Sequence, residues 1–201
     1  MIKSYNDVID DMERVTLQPR LRSNMKRIGE YYDFLLFEYT PSLFKAFAIN
    51  MDEHSVAHRL RCVEEFFCGY KVFYINYKGK WAGYCIVTNG RNPRYSFCNK
   101  KDITFGRYYV DDLYRGMGLG KKMVETVLNL PDLKYDNAYA YVHESNVASH
   151  SIMKSIGCKL VDRFNMVGVF RRIKMNKDGN YYLYCVEKKD LIKFVDDREQ
   201  R

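Results

Sequence analysis

The feature that most constrains this fold is a glycine-rich turn that joins a strand to a helix. The turn is the segment Arg115–Lys121, with glycine at alternate positions. A strand-like run precedes it at 103–110, and apolar residues at helical spacing follow it as far as Pro131. Alternating glycines let the backbone turn tightly and leave N–H groups uncovered where the helix begins. Because a helix start attracts anions, the segment predicts a phosphate-binding turn to which Arg115 and Lys121 add positive charge.

Two familiar phosphate-binding motifs do not match this turn. A P-loop requires Ser or Thr directly after its lysine, whereas Lys122 follows Lys121 here. A dinucleotide fingerprint has the spacing Gly-x-Gly-x-x-Gly, whereas Gly116, Gly118 and Gly120 alternate strictly. The spacing that does fit is Arg-x-x-Gly-x-Gly, which begins at Arg115.

A second motif follows about 30 residues later. The run 141–149 crosses from a predicted short strand to a helix that has Asn146 before it and Gly157 after it. With these two motifs in this order, the region from about 105 to 165 resembles the GNAT superfamily of acyl-CoA-dependent N-acetyltransferases. The resemblance implies acetyl-CoA as co-substrate and an acceptor that is a small-molecule amine or a peptide amine. No metal is expected, because no cysteines are paired at metal-ligand spacing and the chain has only four histidines.

The resemblance and the order of predicted elements imply one fold class. We expect an α+β fold with a mixed, mostly antiparallel central sheet, flanked by helices and splayed into a V between its two middle strands. The domain is predicted at 31–190, after a partly helical extension at 1–30 and before a polar tail at 191–201. The stretch 31–39 fits a strand or a helix equally well.

The other elements follow from periodicity and from turn residues. One predicted helix carries its apolar residues on a single face, namely Val56, Leu60, Val63 and Phe67. Helices are predicted at 4–15, 41–49, 53–67, 119–130 and 147–156, and strands at 71–77, 81–87, 103–110, 138–142, 159–175 and 180–187.

The resemblance also implies roles for individual residues. Backbone amides of the turn would hold the pyrophosphate, and the backbone at Val110 and Asp112 would pair with the pantetheine arm. The Val110 amide would hydrogen-bond the thioester carbonyl. Asn146 and Ser149 would face the cofactor, although Asn146 is equally suited to a plain helix N-cap. The turn residues in this set are Arg115, Gly116, Met117, Gly118, Leu119, Gly120 and Lys121.

The chain departs from the family pattern at the acid–base positions. Where many relatives have a tyrosine that protonates the leaving thiolate, this chain has Met153, which has no proton to donate. Where some relatives have a glutamate that acts as the general base, this chain has Tyr141. We therefore name Tyr141 and Glu144 as catalytic candidates, with His143 and the aspartates at 111 and 112 as further groups near the slot.

Composition narrows the alternatives. The formal net charge of +8 would suit a nucleic acid, but it equally suits a polyanionic cofactor or an acidic substrate. No nucleic-acid readout motif is recognisable, so a nucleic-acid partner is not expected. The alternative that remains open is a non-catalytic acyl-CoA-binding module, and the chain could act as a monomer or a homodimer.

Cysteine usage and hydropathy bear on location. The six cysteines match no metal or redox spacing, so we expect reduced, mostly buried thiols. No apolar run reaches the roughly 18 residues that span a bilayer, and no signal-peptide pattern follows Met1. We therefore expect a cytoplasmic protein that does not bind membranes.

Overall fold

The computed structural model describes residues 24–51 and 55–191. These residues form one nine-stranded sheet, in the order β1-β2-β3-β4-β5-β6-β9-β7-β8, with helices packed on both faces. The predicted α+β fold class is confirmed. The strands are β1 (Met25–Tyr31), β2 (Phe34–Tyr39), β3 (Tyr70–Tyr77), β4 (Lys80–Asn89), β5 (Ile103–Val110), β6 (Asn137–His143), β7 (Lys159–Val167), β8 (Arg172–Met175) and β9 (Tyr181–Glu187), and the helices are α1 (Val56–Cys68), α2 (Leu119–Asn129) and α3 (Val147–Ser155).

The predicted V-shaped splay lies between β5 and β6, the one parallel pair among the described strands. These strands pair only where they begin, at Ile103 with Ala138 and Thr104 with Tyr139. The pairing of β4 with β5 shifts register beyond Ile86, and Arg107 there has a φ of +47°. An extra residue in one strand bends that strand, so this bulge helps β5 to turn away from β6.

Each face of the sheet has its own hydrophobic core. On one face α2 and α3 pack against the middle strands, with Met123, Val127 and Met153 fully buried. On the other face α1 and the segment 42–51 cover Val72, Tyr74 and their neighbours. The slot between β5 and β6 therefore lies between two separate hydrophobic cores.

The N-terminal half differs from prediction in two places. The stretch 31–39, left open between helix and strand, forms the end of β1 and all of β2. Residues 25–30, predicted in an N-terminal extension, pair with β2 as most of the edge strand β1. Residues 1–23 and 192–201, which hold the predicted helix at 4–15 and most of the polar tail, lie outside the described residues.

Three further predictions are wrong. No helix forms at 41–49, where a tight turn pairs Ser42 with Lys45. The strand predicted at 159–175 is a hairpin of β7 and β8, because Gly168 (φ +72°) reverses the chain.

The third correction concerns α1. Its apolar face exists, but it faces solvent: Val56 and Phe67 are 77% and 75% exposed. The helix instead buries Cys62 and Glu65, because Glu65 finds cationic partners beneath the helix.

Among the described residues, no helix is both long and apolar enough to cross a membrane.

Candidate functional site

The glycine-rich turn forms an uncovered helix start, as its sequence predicts. Gly116 and Gly118 have φ of +79° and +75°, in the left-handed region that other residues rarely enter. Gly118 directly precedes α2, and no side chain caps the helix there. A Cβ atom added at Gly116 or Gly118 would meet nothing within 4 Å, so space is open beside the backbone N–H groups.

Gly120 has a different function, which is close packing. A Cβ atom there would lie 3.2 Å from Ile152 Cδ1 and 3.5 Å from Val110 Cγ2. The missing side chain thus lets the first turn of α2 approach both α3 and the end of β5. The glycine-rich turn, the strand end and the second motif are held together by this contact.

Arg115 folds back onto the end of β5. Its Nε donates to the Val110 carbonyl over 3.1 Å, and its guanidinium lies 2.6 Å from the Asp112 carboxylate. It also lies over the Tyr109 ring. Both partners of the ion pair are more than half exposed, so the pair is weak and Arg115 is available to an incoming anion.

The two α3 candidates lie at the helix start. Asn146 is exposed and accepts a hydrogen bond from the Ser149 amide over 3.0 Å, so it acts as the N-cap. Ser149 also lies beside the Tyr108 hydroxyl of β5, which has no hydrogen bond within the described residues. Burial raises the pKa of Tyr108 to about 12, against a smaller lowering by Ser149. Tyr108 of β5, which packs against the core beside α2 and α3, is a residue that sequence reasoning missed.

The turn fits a pyrophosphate on three observations. Backbone N–H groups at an uncapped helix start are suited to anions, the left-handed glycines leave the space beside them open, and Arg115 is nearby. The exposed Met117 and the half-buried Lys121 flank this space.

The opposite side of the slot holds a buried ionic network. Glu65 of α1 is fully buried and pairs with two arginines, Arg94 of the β4–β5 loop at 3.4 Å and Arg107 of β5. Arg94 also donates to the Tyr141 hydroxyl over 3.2 Å. Arg107 and Tyr141 line a small cavity between β5 and β6. Tyr141 therefore lies at the slot between β5 and β6.

Sequence reasoning missed the rest of this network. Arg94 lies in a segment that the sequence predicts as a loop, where basic residues are expected to face solvent, and Glu65 lies in a helix of mixed polarity. A charged residue inside the aromatic run of β5, Arg107, was the one local signal.

The remaining acid–base candidates are not gathered at this cavity. Glu144 lies past β6, half exposed, with its carboxylate 3.5 Å from Arg163. His143 bonds Ser145, and Asp111 caps the short 3₁₀ turn at Asp112–Tyr114. Met153 of α3 is fully buried in the hydrophobic core between α3 and the sheet, so it does not line the slot.

Comparisons with known proteins agree with this geometry. The chain is 30% identical over 91 residues to the spermine/spermidine N(1)-acetyltransferase of Bacillus subtilis, a match that covers 44% of this chain and 59% of that protein. The matched region thus spans less than two thirds of the relative's length.

Solved structures show the same fold at low identity. Mycobacterium smegmatis RimJ in complex with CoA-disulfide aligns with a TM-score of 0.54 at 12% identity, over 82% of this chain and 90% of that one. Salmonella typhimurium yncA with its cofactor acetyl-CoA aligns with a TM-score of 0.50 at 16% identity, over 76% and 94%.

A family model supplies the assignment that these pairwise matches do not. The model for the acetyltransferase (GNAT) family matches residues 32–157, which is more than half of the chain and includes both motifs and the splayed strands. The chain belongs to the GNAT acetyltransferase family.

Proposed function

We propose that this protein transfers an acetyl group from acetyl-CoA to a primary amine, by direct attack within a complex that holds both substrates. The observation that carries the proposal is the uncapped, glycine-lined start of α2 directly beside the splay of β5 and β6. Family membership supports the same reaction class.

The turn 115–121 is proposed to bind the cofactor's pyrophosphate through its backbone amides. Val110 and Asp112 would align the pantetheine arm along the open edge of β5, where pairing with β6 has ended. Asn146 and Ser149 would border the cofactor from α3, with Asn146 acting mainly as the cap. Acetyl-CoA then supplies the activated acyl group.

The acceptor is proposed to enter from the α1 side of the sheet, where Tyr141 and Arg107 line the cavity. Its nitrogen attacks the thioester carbonyl carbon, a C–N bond forms, the C–S bond breaks, and one amine proton must leave. Orientation of both substrates in the slot lowers the barrier by several kcal/mol without acid–base help.

Proton transfer is assigned to two groups. The Tyr141 oxygen already accepts a hydrogen bond from Arg94, so its own proton is free to be donated to the leaving thiolate. Glu144, which lies just past the end of β6, would attract the protonated amine and take its proton through water. Its ion pair with Arg163 is half exposed and therefore easily exchanged.

The test is a direct one. Purified protein is mixed with acetyl-CoA and a panel of primary amines, and the release of the CoA thiol and the acetylated product are measured together. Product formation with at least one amine is the expected result.

A second candidate function is acyl-CoA binding without catalysis, favoured by the buried Met153 at a position where relatives keep a proton donor. Calorimetry separates the two candidates. Binding of acetyl-CoA without turnover of any amine supports the binding module, and a lack of binding contradicts both.

A further inference from the structure

Positive charge is concentrated around Tyr141 on the α1 side of the slot. Four arginines from four different parts of the fold meet there, and we call them the arginine cluster. They are Arg61 of α1, Arg94 of the β4–β5 loop, Arg107 of β5 and Arg171 of the β7–β8 turn.

Within the described residues, one carboxylate pairs with this cluster. Glu65 is shared by two of its members. Arg61 donates instead to the Val169 carbonyl over 3.1 Å, and Arg171 to the Tyr181 hydroxyl over 2.6 Å. Four guanidinium groups and one carboxylate leave three positive charges without a counterion from the described part of the chain.

This excess positive charge acts on Arg61. Burial lowers the pKa of Arg61, and the like charges of the other three members lower it further. Partly buried like charges repel one another more strongly than charges in water do. An anion placed among them would relieve that repulsion.

One donor atom of the cluster also lacks a hydrogen-bond acceptor among the described residues. Arg94 is 2% exposed, yet its Nε finds no partner within the described residues. A buried donor without an acceptor is costly, typically by about 1–3 kcal/mol. A ligand oxygen close to Arg94 would remove that cost.

The cofactor's phosphates do not account for the cluster. The glycine-rich turn leads into α2, which packs on one face of the sheet, whereas Arg61 and Glu65 belong to α1 on the other face. The cluster lies on the side from which the acceptor is proposed to enter.

We propose that the acceptor amine carries a carboxylate or phosphate group, which binds at the arginine cluster while the amine points into the slot. This inference rests on the proposed function and narrows its substrate class. A polyamine, in contrast, would bring further positive charge into a site that already has an excess.

The experiment uses pairs of primary amines that differ in one group. Amino acids are compared with their amides, aminoalkyl phosphates with the corresponding aminoalkanols, and spermidine is included. The anionic member of at least one pair should have a kcat/KM about tenfold or more above that of its neutral partner, since charge-assisted hydrogen bonds are the strong ones. The two kinds of pair distinguish a carboxylate from a phosphate.

A variant then assigns the preference to the cluster. Arg61→Gln should raise the KM of the anionic acceptor about tenfold and leave kcat and the neutral acceptor unchanged, because it removes one charge-assisted contact. A merely structural role would affect both acceptors and kcat. Arg171→Gln is a second variant should Arg61→Gln fold poorly. Arg91→Gln removes one charge from the same loop as Arg94, at an exposed position, and should leave both acceptors unaffected.

The outcomes separate this inference from the proposed function. If neutral amines or spermidine are acetylated as well as anionic ones, or if neither arginine variant changes the preference, the inference is overturned and the acetyltransferase function stands. If acetyl-CoA binds but no amine of any charge is acetylated, both are overturned.

Discussion

The guanidinium of Arg94 donates a hydrogen bond to the Tyr141 hydroxyl over 3.2 Å, across 47 residues of sequence. Arg94 is held in turn by Glu65, so the tyrosine oxygen is approached by a fixed, buried donor. A phenol whose oxygen already accepts a hydrogen bond can direct its own proton elsewhere, and the resulting phenolate would be stabilised by the arginine.

This relationship predicts the effect of Tyr141→Phe. The variant keeps the ring contacts but loses the proton, so kcat should fall about 10- to 100-fold, at or just below the usual range for an acid–base group, while acetyl-CoA affinity is unchanged. Steady-state kinetics and calorimetry measure the two quantities. Tyr139→Phe is the matched control, two residues earlier on the same strand, and should be nearly silent. Equal activity of both variants would exclude Tyr141 as the acid.

Glu144 offers a second test of the acid–base assignment. Glu144→Gln should lower kcat/KM by about 10- to 100-fold if the carboxylate takes the amine proton through water. The control is Glu187→Gln, an equally exposed carboxylate in an ion pair with Lys189. pH–rate profiles from pH 6 to 9 give the comparison. A Glu144→Gln enzyme as active as wild type throughout would reduce Glu144 to a surface charge.

The glycine-rich turn predicts a selective loss of cofactor binding. Gly118→Val fills the open space beside the helix start, so the Kd for acetyl-CoA should rise about 30-fold or more, which corresponds to about 2 kcal/mol. Gly79→Val in the β3–β4 turn is the control, because both glycines have a positive φ and open space at the Cβ position. Both variants should lose similar stability, but only Gly118→Val should lose binding in calorimetry. Similar Kd values for the two folded variants would refute the assignment.

The buried carboxylate of Glu65 should be essential for stability. Glu65→Gln leaves Arg94 and Arg107 charged without their counterion, which should cost about 3–5 kcal/mol in the free energy of unfolding. Urea denaturation measures it. Glu30→Gln breaks an ion pair with Arg27 on β1 in which both side chains are more than half exposed, and it should cost about 1 kcal/mol or less. A Glu65→Gln protein as stable as Glu30→Gln would contradict the network's role.

The buried thiols of Cys85 and Cys158 should resist alkylation in the folded protein. Burial raises the pKa of Cys85 and Cys158 to about 12. Because the thiolate is the reactive form, only about one molecule in ten thousand is reactive at pH 8 in the folded state, whereas the pKa of an unfolded chain's thiol is about 8.5. Iodoacetamide labelling followed by mass spectrometry should therefore modify both residues rapidly in urea and very slowly in the native protein. Rapid native labelling would show that these sites open.

The proposed cofactor side of the site could be predicted from the sequence. The turn 115–121 is readable because its signals are local: glycines at alternate positions, a strand before them and a helix after them. The caps of α3 are local in the same way, with Asn146 before the helix and Gly157 after it. Such features depend on backbone geometry over a few residues. The splay between β5 and β6 was predicted from the resemblance to the GNAT family, which rests on these two motifs.

The proposed acceptor side could not be predicted from the sequence, because its residues meet only when the chain has folded. The pair Arg94–Glu65 joins positions 29 residues apart, and Arg107–Glu65 joins positions 42 apart. Periodicity placed the apolar face of α1 in one stripe, but burial of Glu65 against two arginines turned that stripe toward solvent. Long-range ion pairing has no local sequence pattern, because each partner is chosen by the packing of elements that fold together from distant parts of the chain.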